Sequence, residues 1–321
     1  MPAEKSGYCR REPLRRAGAC GLAGTVAPMD EPLRLLTVHA HPDDESSKGA
    51  GSVARYHDEG IRCVLVCCTG GEAGDIINPA MDLPDVRARL AQIRVEELRR
   101  ATEIIGYDEV VMLGYRDSGM PDSPENADAG CFARADLGEA VGRLVEVIRR
   151  ERPQVIVTYP DNQDGYPHPD HLRVHEVTMP AFDAAADPDA YPELGEPWQP
   201  LKLYYSMWSR ARMVATHDKL LELGLESPFD EAWFDRASQD DRITTRVEVG
   251  AYYERRTAAL LAHATQIDPA SPFWFALPPE VAALVHPYDD YCLARSLVDT
   301  EMPEDDLFSG VRARVYDRPA S

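Results

Sequence analysis

The chain has 321 residues, with 34 Lys and Arg against 55 Asp and Glu, and its formal charge of −21 would repel a phosphate backbone and excludes nucleic acid as a partner. Hydrophobic residues make up 44% and charged residues 28%, enough apolar surface for a large core and too much for a disordered chain. No apolar run approaches the ~18 residues of a membrane helix; runs such as Val64 to Cys68 are strand-sized, and no membrane partner is expected.

Residues 1–30 read as a disordered N-terminal extension. Lys5, Arg10, Arg11, Arg15 and Arg16 oppose Glu4 and Glu12 there, without the apolar stretch of a signal peptide. From Leu33 the pattern turns regular. Leu33–Ala40 reads as a buried strand, Gly49–Glu59 as a helix and Ile61–Thr69 as a second strand. One long amphipathic helix is expected over 84–105, with Leu90, Ile93, Val95, Leu98, Ala101 and Ile105 on its apolar face. Val110–Tyr115 is a third strand, Asp136–Arg150 a helix and Gln154–Tyr159 a fourth strand. A helix after Asp170, a strand at Leu201–Trp208, a helix near Arg212–Leu223, a strand at Thr244–Val249 and a helix at Ala251–His263 continue the series.

Strands alternating with amphipathic helices build βαβ units, so the expected class is α/β, a Rossmann-like, mostly parallel sheet with helices on both faces. Residues 31–300 form the expected domain and 301–321 a C-terminal tail. The stretches 78–85, 121–129 and 187–200, rich in Pro, Asp, Asn and Gly, read as loops. The seven cysteines are odd in number, and three crowd one apolar segment, which suits reduced thiols in a cytoplasmic protein.

Ligands of an open parallel sheet bind outside the carboxyl ends of its strands, and there the chemistry-bearing residues gather. The first strand ends in His39-Ala40-His41-Pro42-Asp43-Asp44-Glu45, and the fourth is followed by Tyr166-Pro167-His168-Pro169-Asp170-His171. Imidazoles with a carboxylate suit a catalytic zinc, because three protein ligands leave one position open. Adjacent Asp43 and Asp44 make chemical sense if one binds the cation and the other takes a proton from water. A lone His-Pro-Asp is more often a turn than a ligand set, but two such clusters at two strand ends are hard to dismiss. His175 divides evenly between packing and ligation and stays outside the metal set; His39 faces the other side of its strand as a supporting residue; His57, His217 and His286 read as surface residues. The glycines of Thr69–Asp75 permit close ligand approach, yet no Gly-x-Gly-x-x-Gly follows the first strand, so a dinucleotide is not expected.

Ala40-His-Pro-Asp-Asp-Glu45 and His168-Pro-Asp-His171 resemble the signature of the zinc-dependent N-deacetylases of the LmbE-like (PIG-L) superfamily. Ser46-Ser-Lys-Gly49, Asn78 to Pro84, Asp117-Ser-Gly119, Gly165 to His168 and His263-Ala-Thr-Gln266 are similar to its mycothiol S-conjugate amidase branch. The resemblance, over Leu33 to Ala294, implies one zinc (iron(II) being the alternative) on His41, Asp44 and His171, with Asp43 as general base. It implies His168 as the acid for the leaving amine and Tyr166 as oxyanion donor, while Asp170 orients an imidazole from outside the ligand set. Glu72, Arg94 and Asp117 would bind sugar and inositol hydroxyls, Lys48 would favour amidase character, and His263 would belong to a segment closing over the site. The implied reaction is hydrolysis of a small thiol–sugar conjugate to glucosaminyl-inositol and a mercapturic acid, in detoxification or antibiotic assembly. The alternative is deacetylation of N-acetylglucosaminyl-inositol or another N-acetylglucosaminide. Two features depart from the branch: a longer loop at Asp161–Gly165, and Ser206-Met-Trp208 where an Asn-His stretch is expected, which affects the pocket for the sulfur substituent.

Overall fold

The computed structural model describes residues 32–163 and 165–316, so the expected N-terminal extension, with Cys9 and Cys20, lies outside the described residues. Seven strands form one sheet: β1 (Arg34–His39), β2 (Arg62–Thr69), β3 (Glu109–Tyr115), β4 (Val155–Thr158), β5 (Lys202–Met207), β6 (Thr245–Glu248) and β7 (Tyr288–Ser296). Their order is β3-β2-β1-β4-β5-β7-β6. The first five run parallel, and β7 pairs antiparallel with both β5 and β6. The α/β class and the mostly parallel sheet are as expected.

Helices follow the strands in chain order. α1 (Asp44–Ser47) and α2 (Ala50–Asp58) follow β1; α3 (Pro84–Arg87) and α4 (Leu90–Ile105) follow β2; α5 (Leu137–Glu151) follows β3; α6 (Pro169–Ala184) follows β4. α7 (Arg210–Glu222) and α8 (Glu231–Asp235) come after β5; α9 (Tyr253–Ala262), α10 (Pro272–Phe275) and α11 (Pro279–Val285) link β6 to β7, and α12 (Val311–Tyr316) comes last. Side chains of a strand alternate between faces, which divides the core into two layers. Leu36, Val38 and Ile156 join Val141, Leu144, Val145 and Val174 of α5 and α6 on one face. Leu35, Val155 and Val157 join Val53 of α2, Ala101 of α4 and Ala259 of α9 on the other. Covered on both sides, β2 is buried from Cys63 to Thr69, which explains its unbroken apolar run. At the start of α5 the Asp136 carboxylate accepts from the Glu139 N–H at 2.9 Å, satisfying one of the free amides of the first turn.

The structure differs from the expected elements in four places. The helix expected over 84–105 breaks at Arg89 (φ −123°, ψ 16°), and the first turns of α4 bury Arg94 and Glu97 while Val95 lies exposed. Both buried charges are partnered: Glu97 accepts from the Thr265 N–H at 2.9 Å and hydroxyl at 2.6 Å, an arrangement an apolar-face reading cannot see. Strand β7 went unread because its Tyr-Asp-Asp-Tyr start is polar, although Asp289 and Asp290 are buried. His286, read as a surface residue, is buried with Nε2 2.9 Å from Asp290 Oδ2. The stretch from 301, expected as a tail, joins the core: Leu307, Phe308 and Val311 pack with Tyr56 and Val53, and Glu304 bridges to Thr245 beside β6.

Candidate metal centre

Strand order reverses between β1 and β4, which lie side by side with Leu35 opposite Val155 and Thr37 opposite Val157. Connections leaving the two strands diverge and open a crevice at their carboxyl ends. Both histidine motifs empty into it. β1 ends at His39, and just past Pro42 the backbone of Asp43 adopts φ 122°, a conformation that costs a non-glycine residue about 1–3 kcal/mol. Its neighbours hold it there. Arg94 reaches from α4 to donate to the carbonyls of Gly71 and Pro42 and to Asp43 Oδ2, the last at 3.1 Å, and the Asp43 N–H donates to Glu45 Oε2 at 2.9 Å.

His41, Asp44 and His171 converge. Asp44 Oδ2 lies 3.4 Å from His41 Nδ1 and 3.3 Å from His171 Nε2. Ligand atoms of a tetrahedral zinc with bonds near 2.0 Å stand roughly 3.3 Å apart, so this donor set fits the ion in spacing as well as in type. All three residues are buried. His41 Nε2 points the other way, 3.1 Å from Asp170 Oδ2 and 3.5 Å from Asp117 Oδ1, which places its proton there and frees the Nδ1 lone pair. Ser118 fixes Asp170 in turn, through its N–H at 2.9 Å and through its hydroxyl. Burial pushes the His171 imidazole down to about 3, so its ring is a neutral donor. Asp44, Asp117 and Asp170 thus crowd one imidazole, with one ammonium among the described residues, that of Lys48, 2.5 Å from Asp44 Oδ1, and a divalent cation would balance them.

His168 caps α6, with its Nδ1 accepting the Asp170 N–H at 3.2 Å, so the ring's proton sits on Nε2. Its ring centroid lies 4.5 Å from that of His41. Burial, then the neighbouring His41, lowers its pKa to about 4. Asp43 moves the other way, raised by burial against the opposing Arg94 guanidinium, as suits a base. Tyr166 is 56% exposed, and its ring lies 5.4 Å from His171 at the mouth. His41, Asp117 and His168 form a second group of donors that shares His41 with the first.

The residues expected to bind substrate separate into two groups. Lys48 and Glu72 are partly exposed, and Asp117 is buried against His41 with Glu72 Oε1 accepting its N–H at 3.2 Å. Arg94 and His263 do not reach the crevice as substrate ligands. Arg94 is spent on the Asp43 loop, and His263 is fully buried with Nε2 2.6 Å from Glu45 Oε1, bracing α1 from behind. His175 stays outside the donor set, its Nδ1 on the Tyr159 carbonyl at 3.1 Å. Sequence reasoning missed Ser118 and Tyr159. Ser118 sat inside the quoted Asp117-Ser-Gly119 motif, which was the available signal, whereas nothing marked Tyr159, which stacks on His171 at 4.6 Å.

Two expected results follow from these contacts. Loss of an outer hydrogen-bond partner costs ~10–100-fold in metal affinity, so Asp170→Asn should show that loss and His171→Ala a larger one, read by elemental analysis of dialysed protein. His39 is buried, with Nδ1 3.3 Å from the Tyr159 hydroxyl and no partner for Nε2 among the described residues. Burial lowers its pKa from 6.5 to about 4, so below 6.5 the unfolded chain takes up a proton that the folded protein refuses. Stability is therefore full above pH 6.5 and declines toward pH 4, by about 3 kcal/mol for this group. His39→Gln should flatten that part of a urea-derived stability profile.

The family model for GlcNAc-PI de-N-acetylase (PIG-L) matches residues 36–182. Over 294 residues the chain is 47% identical to a mycothiol S-conjugate amidase of Streptomyces coelicolor, covering 88% of this chain and 99% of that one. It is 42% identical over 291 residues to a 1D-myo-inositol 2-acetamido-2-deoxy-alpha-D-glucopyranoside deacetylase of Geodermatophilus obscurus, covering 87% and 98%. N,N'-diacetylchitobiose deacetylase from Pyrococcus horikoshii shares the fold, with a TM-score of 0.55 at 16% identity over 83% of this chain and 85% of that one. Together with the donor set, these likenesses define a hydrolase that acts on amide bonds. The chain belongs to the PIG-L (LmbE-like) family. No helix among the described residues is long and apolar enough to cross a membrane.

Proposed function

We propose that the protein hydrolyses the amide of mycothiol S-conjugates, releasing glucosaminyl-inositol and an N-acetylcysteine S-conjugate, with one zinc ion on His41, Asp44 and His171. The observation that carries the metal chemistry is the spacing of these three buried donors around Asp44 Oδ2. Zinc at this position supplies a Lewis acid that polarises the amide carbonyl and acidifies solvent. Asp43 takes the proton of the attacking water, oriented by Arg94 and by the strained backbone beneath it. His168, neutral with its proton on Nε2, donates a hydrogen bond to the leaving nitrogen, which gains the proton that Asp43 took from water, and the Tyr166 hydroxyl donates to the oxygen on which charge develops. Asp170 keeps the tautomer of His41, and Lys48 offsets the carboxylate of Asp44. Glu72 and Asp117 border the crevice as partners for sugar hydroxyls.

The amidase reading is supported by the 47% identity to the Streptomyces coelicolor amidase. The 42% identity to the Geodermatophilus obscurus deacetylase favours a second reading, removal of acetate from N-acetylglucosaminyl-inositol. Both use the same zinc chemistry and differ in the acyl group admitted. Side-by-side turnover of S-benzyl mycothiol and N-acetylglucosaminyl-inositol separates them: the amidase reading requires a higher kcat/KM for the first, and preference for the second refutes it.

A further inference from the structure

Beside the crevice, past the carboxyl end of β5, lies a cavity of about 50 Å³ whose wall includes Trp208, Arg212, Tyr253, Arg256, Phe273 and Trp274. On this scale one water needs roughly 10–15 Å³, so the space suits a carboxylate. Trp208 follows directly on β5, whose other neighbour in the parallel sheet is β4, the strand that leads to His168 and His171. Arg256 lies seven residues before His263 on α9. Two helical turns span about 10 Å, and His263 touches Glu45 next to Asp44. The cavity and the metal centre are therefore neighbours along one helix.

Two arginines meet at this cavity. Arg256 is only 5% exposed, yet it makes no ion pair among the described residues and has the rings of Tyr253 and Trp274 for company, at 5.3 and 6.0 Å. Arg212 stands over Trp208 and donates to the Tyr253 hydroxyl at 3.1 Å. Two carboxylates lie nearby, and both are engaged elsewhere. Asp289 Oδ2 accepts from the Ser52 N–H at 2.9 Å and hydroxyl at 3.0 Å, and Asp290 is shared among His286, Ser209 and Arg246. Burial, then repulsion from Arg212, lowers the Arg256 guanidinium to about 10 against the pull of the nearby Asp289. Burying the Arg256 guanidinium with no ion pair, beside the half-buried Arg212, is costly, and such forks match a bidentate anion.

We propose that Arg212, Arg256 and the Tyr253 hydroxyl form an anion pocket, walled by Trp208, Phe273 and Trp274, that takes the carboxylate end of an aromatic substituent carried on the substrate's sulfur. Assignment to the sulfur substituent rests on the amidase reading; the anion pocket itself does not. It also accounts for Ser206-Met-Trp208, the departure from the amidase branch, by giving Trp208 a wall of that pocket to form.

The test has two arms, both on the metal-loaded full chain. In the first, phenylacetate and its neutral analogue phenylacetamide are titrated against tryptophan fluorescence. Charge-assisted hydrogen bonds of this kind change affinity by ~10–100-fold. Phenylacetate should bind at least ~10-fold more tightly than the amide, and Arg256→Gln and, separately, Arg212→Gln should each erase that margin, with Arg256→Lys restoring part of it. Equal binding of the two probes, or an unchanged margin in both Gln variants (as for a carboxylate held at the metal), overturns the pocket. In the second arm, S-(4-carboxybenzyl) and S-benzyl mycothiol are compared. A lower KM for the carboxylate conjugate, with the preference falling ~10-fold in Arg256→Gln, supports the assignment. Equal KM values overturn it while the amidase reading stands. Hydrolysis of neither conjugate overturns the amidase reading, and phenylacetate binding then keeps the anion pocket alone.

Discussion

Asp43→Asn is expected to retain its metal and to lose turnover by about 10²–10⁴-fold, the contribution of a positioned general base. Asn is the informative replacement. Asp43 sits at φ 122°, which Asn tolerates better than Ala, so the loop that also carries Asp44 keeps its course. The amide still reaches Arg94 and removes only the ability to accept a proton. Metal content by elemental analysis, measured beside initial rates, separates the roles of the adjacent acids: Asp44→Asn should lose both quantities, Asp43→Asn only the rate. If Asp43→Asn works at near the parental rate, another group is the base.

Glu304→Ala is expected to destabilise the fold by about 3–5 kcal/mol, because it leaves a buried ammonium without its counter-ion. Lys202 is fully buried on β5 with its Nζ on Glu304 Oε1, and burial lowers its pKa against the pull of that carboxylate. The other carboxylate oxygen accepts from the Tyr204 hydroxyl at 2.5 Å and the Thr245 hydroxyl at 2.7 Å, so two strands, β5 and β6, meet at one side chain. Glu304→Gln should cost less, since it keeps acceptors for the two hydroxyls. The double variant Lys202→Met/Glu304→Leu should recover most of the loss, since apolar replacements of similar volume often match a buried ion pair. Urea unfolding of the four proteins measures this. A Glu304→Ala midpoint within error of the parent would show that the segment after 301 is not anchored through this pair.

The candidate metal centre was legible because its residues are dense and local. His41, Asp43 and Asp44 fall within four positions, just past an apolar run that reads as a strand, and His168, Asp170 and His171 within another four, in the connection that follows a second such run. Arg94 and His263 were assigned to substrate from the resemblance, and the structure spends both on holding the loop after β1. Such support is invisible in a chain of letters, because Arg94 lies 52 positions from Pro42, and His263 lies 218 from Glu45.

The sequence by itself determined the alternation of strands and helices from Leu33 to His263 and the two histidine motifs at strand exits, since apolar periodicity and ligand chemistry are properties of neighbouring residues. Tertiary structure alone decided that β1 lies against β4, which turns two separate motifs into one donor set around Asp44 Oδ2. It also decided that β7 enters between β5 and β6 and that Glu304 returns to neutralise Lys202. Pairings of this kind depend on which surfaces remain to be buried once the parallel core has formed, and on which buried charges still lack a partner.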